Sequence, residues 1–223
     1  MNGKSNSITS LPMKLRASSS FTLIEMLTVM AVIAILASLI VSVNAFAHKK
    51  AALVRTEGEI KAMIAACEGY KADFGDYPSG GAEDSAGQSA TVAVCPVLDG
   101  NPADVKYQKG CLVLYKALSG DTEATGKGKE KRYCEFRPDQ LHKDAGGQIQ
   151  YIRDPFGNSY GYSTNGAASE ELYRERLQRS PQAIRTKSGG FNPTFDLWST
   201  GGVISAKTGA ELNEDRKRWV KNW

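Results

Sequence analysis

Histidine is nearly missing from this chain: His48 and His142 are the only two in 223 residues. The commonest general base and metal-ligating ring nitrogen therefore have almost no carriers. The four cysteines form no Cys-x-x-Cys pair, which argues against a zinc site. No phosphate-binding glycine loop occurs, and nothing frames a Cys-His or Ser-His nucleophile pair, so an enzyme is not expected. Acid is missing from residues 1 to 24 altogether, and between Phe21 and Ala47 the sole ionisable side chain is Glu25. The net charge of +4 is mild and its basic residues are scattered. The one dense cluster, Lys127 to Arg132, sits among Gly and Glu and reads as a solvated loop, so no nucleic-acid partner is implied.

What the chain does have is a basic leader followed by a long apolar run. Lys4, Lys14 and Arg16 precede Ser18-Ser19-Ser20, and Phe21 to Ala47 is then nearly all apolar. A helix rising 1.5 Å per residue needs about 20 apolar residues to cross a bilayer, and this run is long enough. It is too long for the core of a secretory signal, so residues 1 to 20 look removable while the apolar helix stays. Basic residues alone do not orient it, because His48, Lys49, Lys50 and Arg55 follow the run. A carboxylate within the run costs roughly a few kcal/mol in hydrocarbon, so Glu25 needs a partner or a position at headgroup level.

Ser20-Phe21-Thr22-Leu23-Ile24-Glu25 resembles the processing motif of type IV prepilins and of the pseudopilins of type II secretion. The resemblance implies cleavage by prepilin peptidase between Ser20 and Phe21, N-methylation of Phe21, and Glu25 as the assembly carboxylate. Ser20, a small residue, stands where the family prefers Gly. Physical chemistry supplies a reason for the acid. Cleavage creates a charged amine on Phe21, and Glu25 of a staggered neighbour can neutralise it, so that neither charge is buried alone. Such a head-to-tail contact propagates as a filament.

Beyond the apolar run, Leu53, Glu57, Ile60, Met63, Ile64, Cys67, Tyr70 and Phe74 recur at three- and four-residue steps, which predicts a helix continuing as an amphipathic stripe. Gly75 and Pro78 then stop it. The expected organisation is a leader over 1–20, one long helix over 21–76 that spans the membrane at about 21–47, and a periplasmic globular domain over 77–223. The fold class is α+β: a type IV pilin-like helix packed on a small antiparallel sheet, with loop and helix insertions. Val92 to Leu98 reads as a short strand, and Cys111, Leu114, Tyr115 and Leu118 as a short helix ended by Gly120. Ile149–Ile152 and Asn158–Ser163 read as a hairpin about the turn Asp154-Pro-Phe-Gly157. Ser169 is placed to cap an inserted helix over 169–179.

Asp154 to Tyr160, Phe195 to Gly201 and the final Asn222-Trp223 resemble motifs of the major pseudopilin. That resemblance implies an inner-membrane, single-pass subunit that polymerises with itself and other pseudopilins. Its further partners would be prepilin peptidase and an inner-membrane secretion platform with its ATPase. It also raises a calcium loop, for which Asp196, Glu214 and Asp215 are the weak candidates, since Gly201 to Gly209 contains no acid. Cys67, Cys95, Cys111 and Cys134 all follow the apolar run, and in an oxidising periplasm they allow up to two disulfides in any of three pairings. The alternatives are a bitopic, membrane-anchored binding protein that does not polymerise, and a pilus or minor pilin subunit.

Overall fold

A computed structural model describes residues 21–79, 100–183, 190–204 and 210–223, without the side chains of 39–45, Lys106 and Ala210. The strand expected over Val92–Leu98 and Cys95 lie outside the described residues. Helix α1 runs from Leu23 to Phe74. Contacts divide the chain into two compact units, Met1–Ala47 and His48–Trp223.

In the first unit the helix is apolar on every side. Leu23, Ile24, Leu27, Val29, Val32, Ile33 and Leu36 are all exposed within this single chain. That pattern suits a helix surrounded by lipid or by other helices. Among the described residues no helix is long and apolar enough to cross a membrane. The side chains of 39–45 lie outside that set, and the stretch before them, Leu23 to Ser38, is shorter than a full crossing requires.

In the second unit α1 buries one face. Thr56, Ile60, Met63, Ala66 and Cys67 are buried, while Glu57 is exposed. The inward line therefore passes through Thr56 and Glu59 instead of the expected Glu57, a correction of one to two positions. Thr56 is tolerable inside because its hydroxyl donates to the Ala52 carbonyl at 2.8 Å. Gly75 ends the helix with φ 88°, and its N–H reaches the Lys71 carbonyl at 2.8 Å.

Helix α2, Val105–Ser119, contributes Cys111, Leu114, Tyr115 and Leu118 to the same core. Gly120 follows with φ 66°, and an added Cβ would lie 2.6 Å from the Glu130 carbonyl oxygen. The turn thus needs glycine for its conformation and for the chain crossing over it. A 3₁₀ turn, Pro138–Gln140, leads into β1, Leu141–Lys143, which pairs antiparallel with β2, Ile149–Ile152. Strand β3, Gly161–Ser163, pairs with β4, Asp196–Ser199, and β4 with β5, Val220–Lys221, giving the antiparallel order β3-β4-β5. The fold is the expected type IV pilin-like α+β arrangement, with a helix packed on small antiparallel sheets.

The hairpin is only half as expected. Asp154 to Gly157 forms the turn, with the Gly157 N–H on the Asp154 carbonyl at 2.9 Å, and one bridge joins Arg153 to Ser159. Beyond that bridge the arms separate: β2 takes β1 as its partner and β3 takes β4. Buried Asp154 holds the junction, accepting bonds from the Phe156 and Asn158 N–H groups at 2.9 and 2.8 Å and from the Ser199 hydroxyl at 2.5 Å. A turn whose side chain is committed to β4 pulls the outgoing arm toward that strand.

Helix α3 spans Asn165–Arg179, starting four residues before the expected cap. Ser169 lies inside it, its hydroxyl donating back to the Asn165 carbonyl at 2.8 Å. Serine satisfies either role by a local side-chain bond, so its presence alone does not mark the helix start.

A second core of Tyr107, Trp198, Leu212 and Trp219, with Trp223 against it, fixes the carboxyl end. Asn222 behaves as an extra strand residue: its side-chain oxygen accepts from Leu197 N–H at 2.9 Å and its amide donates to the Phe195 carbonyl at 3.0 Å. Gly161 makes room for Trp198, because an added Cβ would fall 2.1 Å from the indole Cε2. Gly161→Ala is expected to destabilise the chain by about 3 kcal/mol through overpacking. Thermal unfolding followed by tryptophan fluorescence checks this; an unchanged Tm contradicts the packing.

Candidate processing and assembly site

Among the described residues, Phe21 and Thr22 precede α1. Phe21 is 77% exposed and, like Thr22, non-helical. Ser20 lies outside the described residues. Thr22 stands at the N-cap and Glu25 three residues on. The Glu25 Oε2 accepts from Thr22 N–H and from the Thr22 hydroxyl, both at 2.8 Å. In return Glu25 N–H donates to the Thr22 hydroxyl oxygen at 3.4 Å. This reciprocal pattern is a capping box, which satisfies amide donors that a helix start leaves unpaired. The carboxylate also lies where the helix macrodipole favours negative charge.

Both of these bonds fall on Oε2, which leaves Oε1, on an exposed carboxylate, without a partner among the described residues. Glu25 is therefore held in a defined orientation by its own helix end, with one oxygen open to a cation from outside the chain. Within the chain, Thr22 N–H, and not the Phe21 nitrogen, is the backbone group bonded to Glu25.

A second charged cluster, which the sequence reading missed, ties α1 into the globular part of the His48–Trp223 unit. Glu59, whose side chain is 13% exposed, accepts from Arg55 at 2.8 Å, Arg137 at 3.1 Å and the Tyr160 hydroxyl at 2.6 Å. Asp139 takes the other end of the Arg55 guanidinium at 2.8 Å. That bond holds the Asp139 carboxyl below its ordinary range, and burial beside Glu59 pushes the Tyr160 hydroxyl far up. The available signal was spacing: Arg55 and Glu59 stand four apart on one helix.

The remaining expected site residues are dispersed. Asp196 is buried in β4, where Phe191 and Asn192 N–H groups each donate to it at 2.9 Å. Burial raises its carboxyl above the usual range. Glu214 pairs with Lys217 at 2.7 Å on the surface, and Asp215 accepts at its carbonyl from Arg218 N–H. Among the described residues no group of three or more His, Cys, Asp or Glu side chains could hold a metal ion. Calcium collects oxygen acceptors, whereas Asp196 is surrounded by N–H donors, so these three residues do not fit it.

Cys67, Cys111 and Cys134 are free thiols. Burial pushes the Cys111 thiol up to about 12, and its sulfur accepts from Ile152 N–H at 3.2 Å and donates to the Ile152 carbonyl at 3.5 Å. Cys111 thus bonds α2 to β2. His142 stacks on Tyr151 with ring centroids 4.4 Å apart.

Comparison with known families matches residues 15–41 to the prokaryotic N-terminal methylation motif. No curated protein and no solved structure matches the chain. The matched stretch contains the expected cleavage junction, the capping box and the start of the apolar helix. Its presence indicates a prepilin-peptidase substrate and points to a membrane-anchored chain.

Loss of the second cluster is testable on stability alone. Glu59→Ala leaves the Tyr160 hydroxyl without its acceptor, while the half-exposed Arg55 and Arg137 keep Asp139, and is expected to cost about 1.5 kcal/mol. Thermal melts of the detergent-solubilised chain measure this, and a change below about 0.5 kcal/mol, the size of an ordinary surface substitution, contradicts the role assigned to Glu59.

Proposed function

We propose that this type IV pilin-like chain is a structural subunit of a type II secretion pseudopilus. Prepilin peptidase removes residues 1–20, Phe21 is methylated, and the mature helix assembles in the inner membrane with the globular domain in the periplasm. Subunits then stack through their amino-terminal helices into a short fibre that drives protein export across the outer membrane. On this reading an inner-membrane platform and its ATPase power assembly.

The observation that carries the proposal is the orientation of Glu25. Its Oε2 caps its own helix and its Oε1 stays open, beside the chain end that cleavage would turn into an amine. In a dry bundle of helices that open acceptor and the neighbour's Phe21 amine are the complementary charges. Buried Asp154 and Asp196 both accept from the chain's own donors.

Support for the pseudopilin assignment comes from the paired motifs. The Asp154 turn and the Phe195–Gly201 strand, read separately as pseudopilin-like, meet through the Asp154–Ser199 bond and the β3-β4 pairing. Asn222, next to the chain end, completes that sheet.

Glu25→Ala should abolish filaments on overproduction in a host with the secretion system, while the chain stays in the membrane. Mass spectrometry of wild-type material should find a mature terminus beginning at N-methylated Phe21. Filaments that persist in the Glu25→Ala variant, or material that keeps residues 1–20, would refute the proposal.

A further inference from the structure

The segment from Lys131 to Asp139 runs antiparallel along α1 in the His48–Trp223 unit. At one end Lys131 and the Tyr133 hydroxyl both bond Asp73, and the Tyr133 ring packs edge-on to Tyr70 at 5.5 Å. Tyr133 Cδ1 lies 3.4 Å from where a Gly69 Cβ would stand. At the other end Arg137 pairs with Glu59. Ten helical residues from Gly69 to Glu59 span about 15 Å, close to the about 13 Å that four residues from Tyr133 to Arg137 can reach, so the two run in step. One residue on from Tyr133 therefore corresponds to about two residues back along the helix from Gly69. That pairs Cys134 with Cys67.

Three observations agree with this register. Cys134 packs against the core cluster that contains Cys67. Burial first, then the Glu68 charge and then a thiolate on Cys134 raise the Cys67 thiol, in keeping with this register. The backbone at this point is pinned, because the Leu118 carbonyl at the end of α2 accepts from Tyr133 N–H at 2.8 Å and Cys134 N–H at 3.0 Å.

Exposure differs between the two thiols. Cys67 is fully buried. Cys134 is half-buried and lines a cavity of about 150 Å³ with Tyr115, Arg132 and Phe136.

We propose that Cys67 and Cys134 are a redox pair, closed into an intramolecular disulfide that staples α1 to the 131–139 segment. The oxidant is a low-molecular-weight or protein disulfide reaching Cys134 through the cavity. The Cys134 thiolate attacks one of its sulfurs, breaks that S–S bond and expels the first thiolate, leaving a mixed disulfide. Cys67 sulfur then attacks the Cys134 sulfur and loses its proton to solvent, and the second thiolate departs. Two protein thiols lose two electrons, and one external disulfide becomes two thiols. Cys111 stays outside this chemistry, committed to Ile152.

The test treats the detergent-solubilised full chain with oxidised glutathione, alkylates what remains, and maps peptides without reduction. The expected product joins the Cys67 and Cys134 peptides, with Cys111 alkylated after unfolding. Closing so long a loop should raise Tm by on the order of 10 °C, reversed by dithiothreitol and absent in Cys67→Ser and Cys134→Ser. Should either variant not fold, the linked wild-type peptide decides the matter by itself. Cys67 and Cys134 alkylated singly, Cys134 joined only to glutathione, or either one joined to Cys95 or Cys111 would overturn the pairing.

Discussion

A carboxylate among apolar side chains has to be answered by a positive partner, and that requirement organises the amino-terminal unit. Glu25 stands alone among the ionisable groups from Phe21 to Ala47. Its own helix answers it in part, through two bonds from Thr22. Those bonds fix the orientation of the carboxylate without neutralising its charge. In water that residual charge is tolerable; in a packed bundle of apolar helices it is expensive. On the proposed function, the answering cation is the amine that cleavage would free at Phe21 of an adjacent molecule. Thr22 thereby gains a purpose of its own: an acid fixed by its cap loses less side-chain freedom when a neighbour binds.

The same rule, applied inside the globular unit, explains why its acids are structural. Asp154, Asp196 and Glu59 are each surrounded by donors supplied by the chain itself, and each lies where two elements must be fastened together. Asp154 joins a turn to β4, Asp196 gathers the loop entering β4, and Glu59 joins α1 to the β2–β3 region through Tyr160. Short strands of two to four residues offer few ladder bonds. Buried carboxylates and the aromatic cluster around Trp198 take over the work that longer sheets would do.

Much of this was legible in residue order. The continuation of the helix past the apolar run, its stop at Gly75 and the turn at Asp154 were readable because each rests on strictly local chemistry. Reading failed where the decisive partner is distant in sequence. The stripe on α1 runs through Glu57 by spacing alone, since spacing cannot reveal that Tyr160 and Arg137 wait for Glu59. The arms of the Asp154 turn look like one hairpin because nothing local records that Ser199 draws the outgoing arm to β4. Ser169 looks like a cap because its hydroxyl serves equally well one turn inside a helix. Asp196 looks like a metal ligand because its donors, Phe191 and Asn192, only face it once the loop has closed.

The account turns on one contact between molecules, and carbodiimide coupling addresses it directly. Filaments assembled from equal amounts of isotopically heavy and light chains would be treated with the reagent, which joins a carboxylate to an amine only where the two touch. The account predicts a linked peptide joining Glu25 of a heavy chain to the Phe21 nitrogen of a light one. Links found solely within single chains, or none at Glu25 in intact filaments, would contradict it.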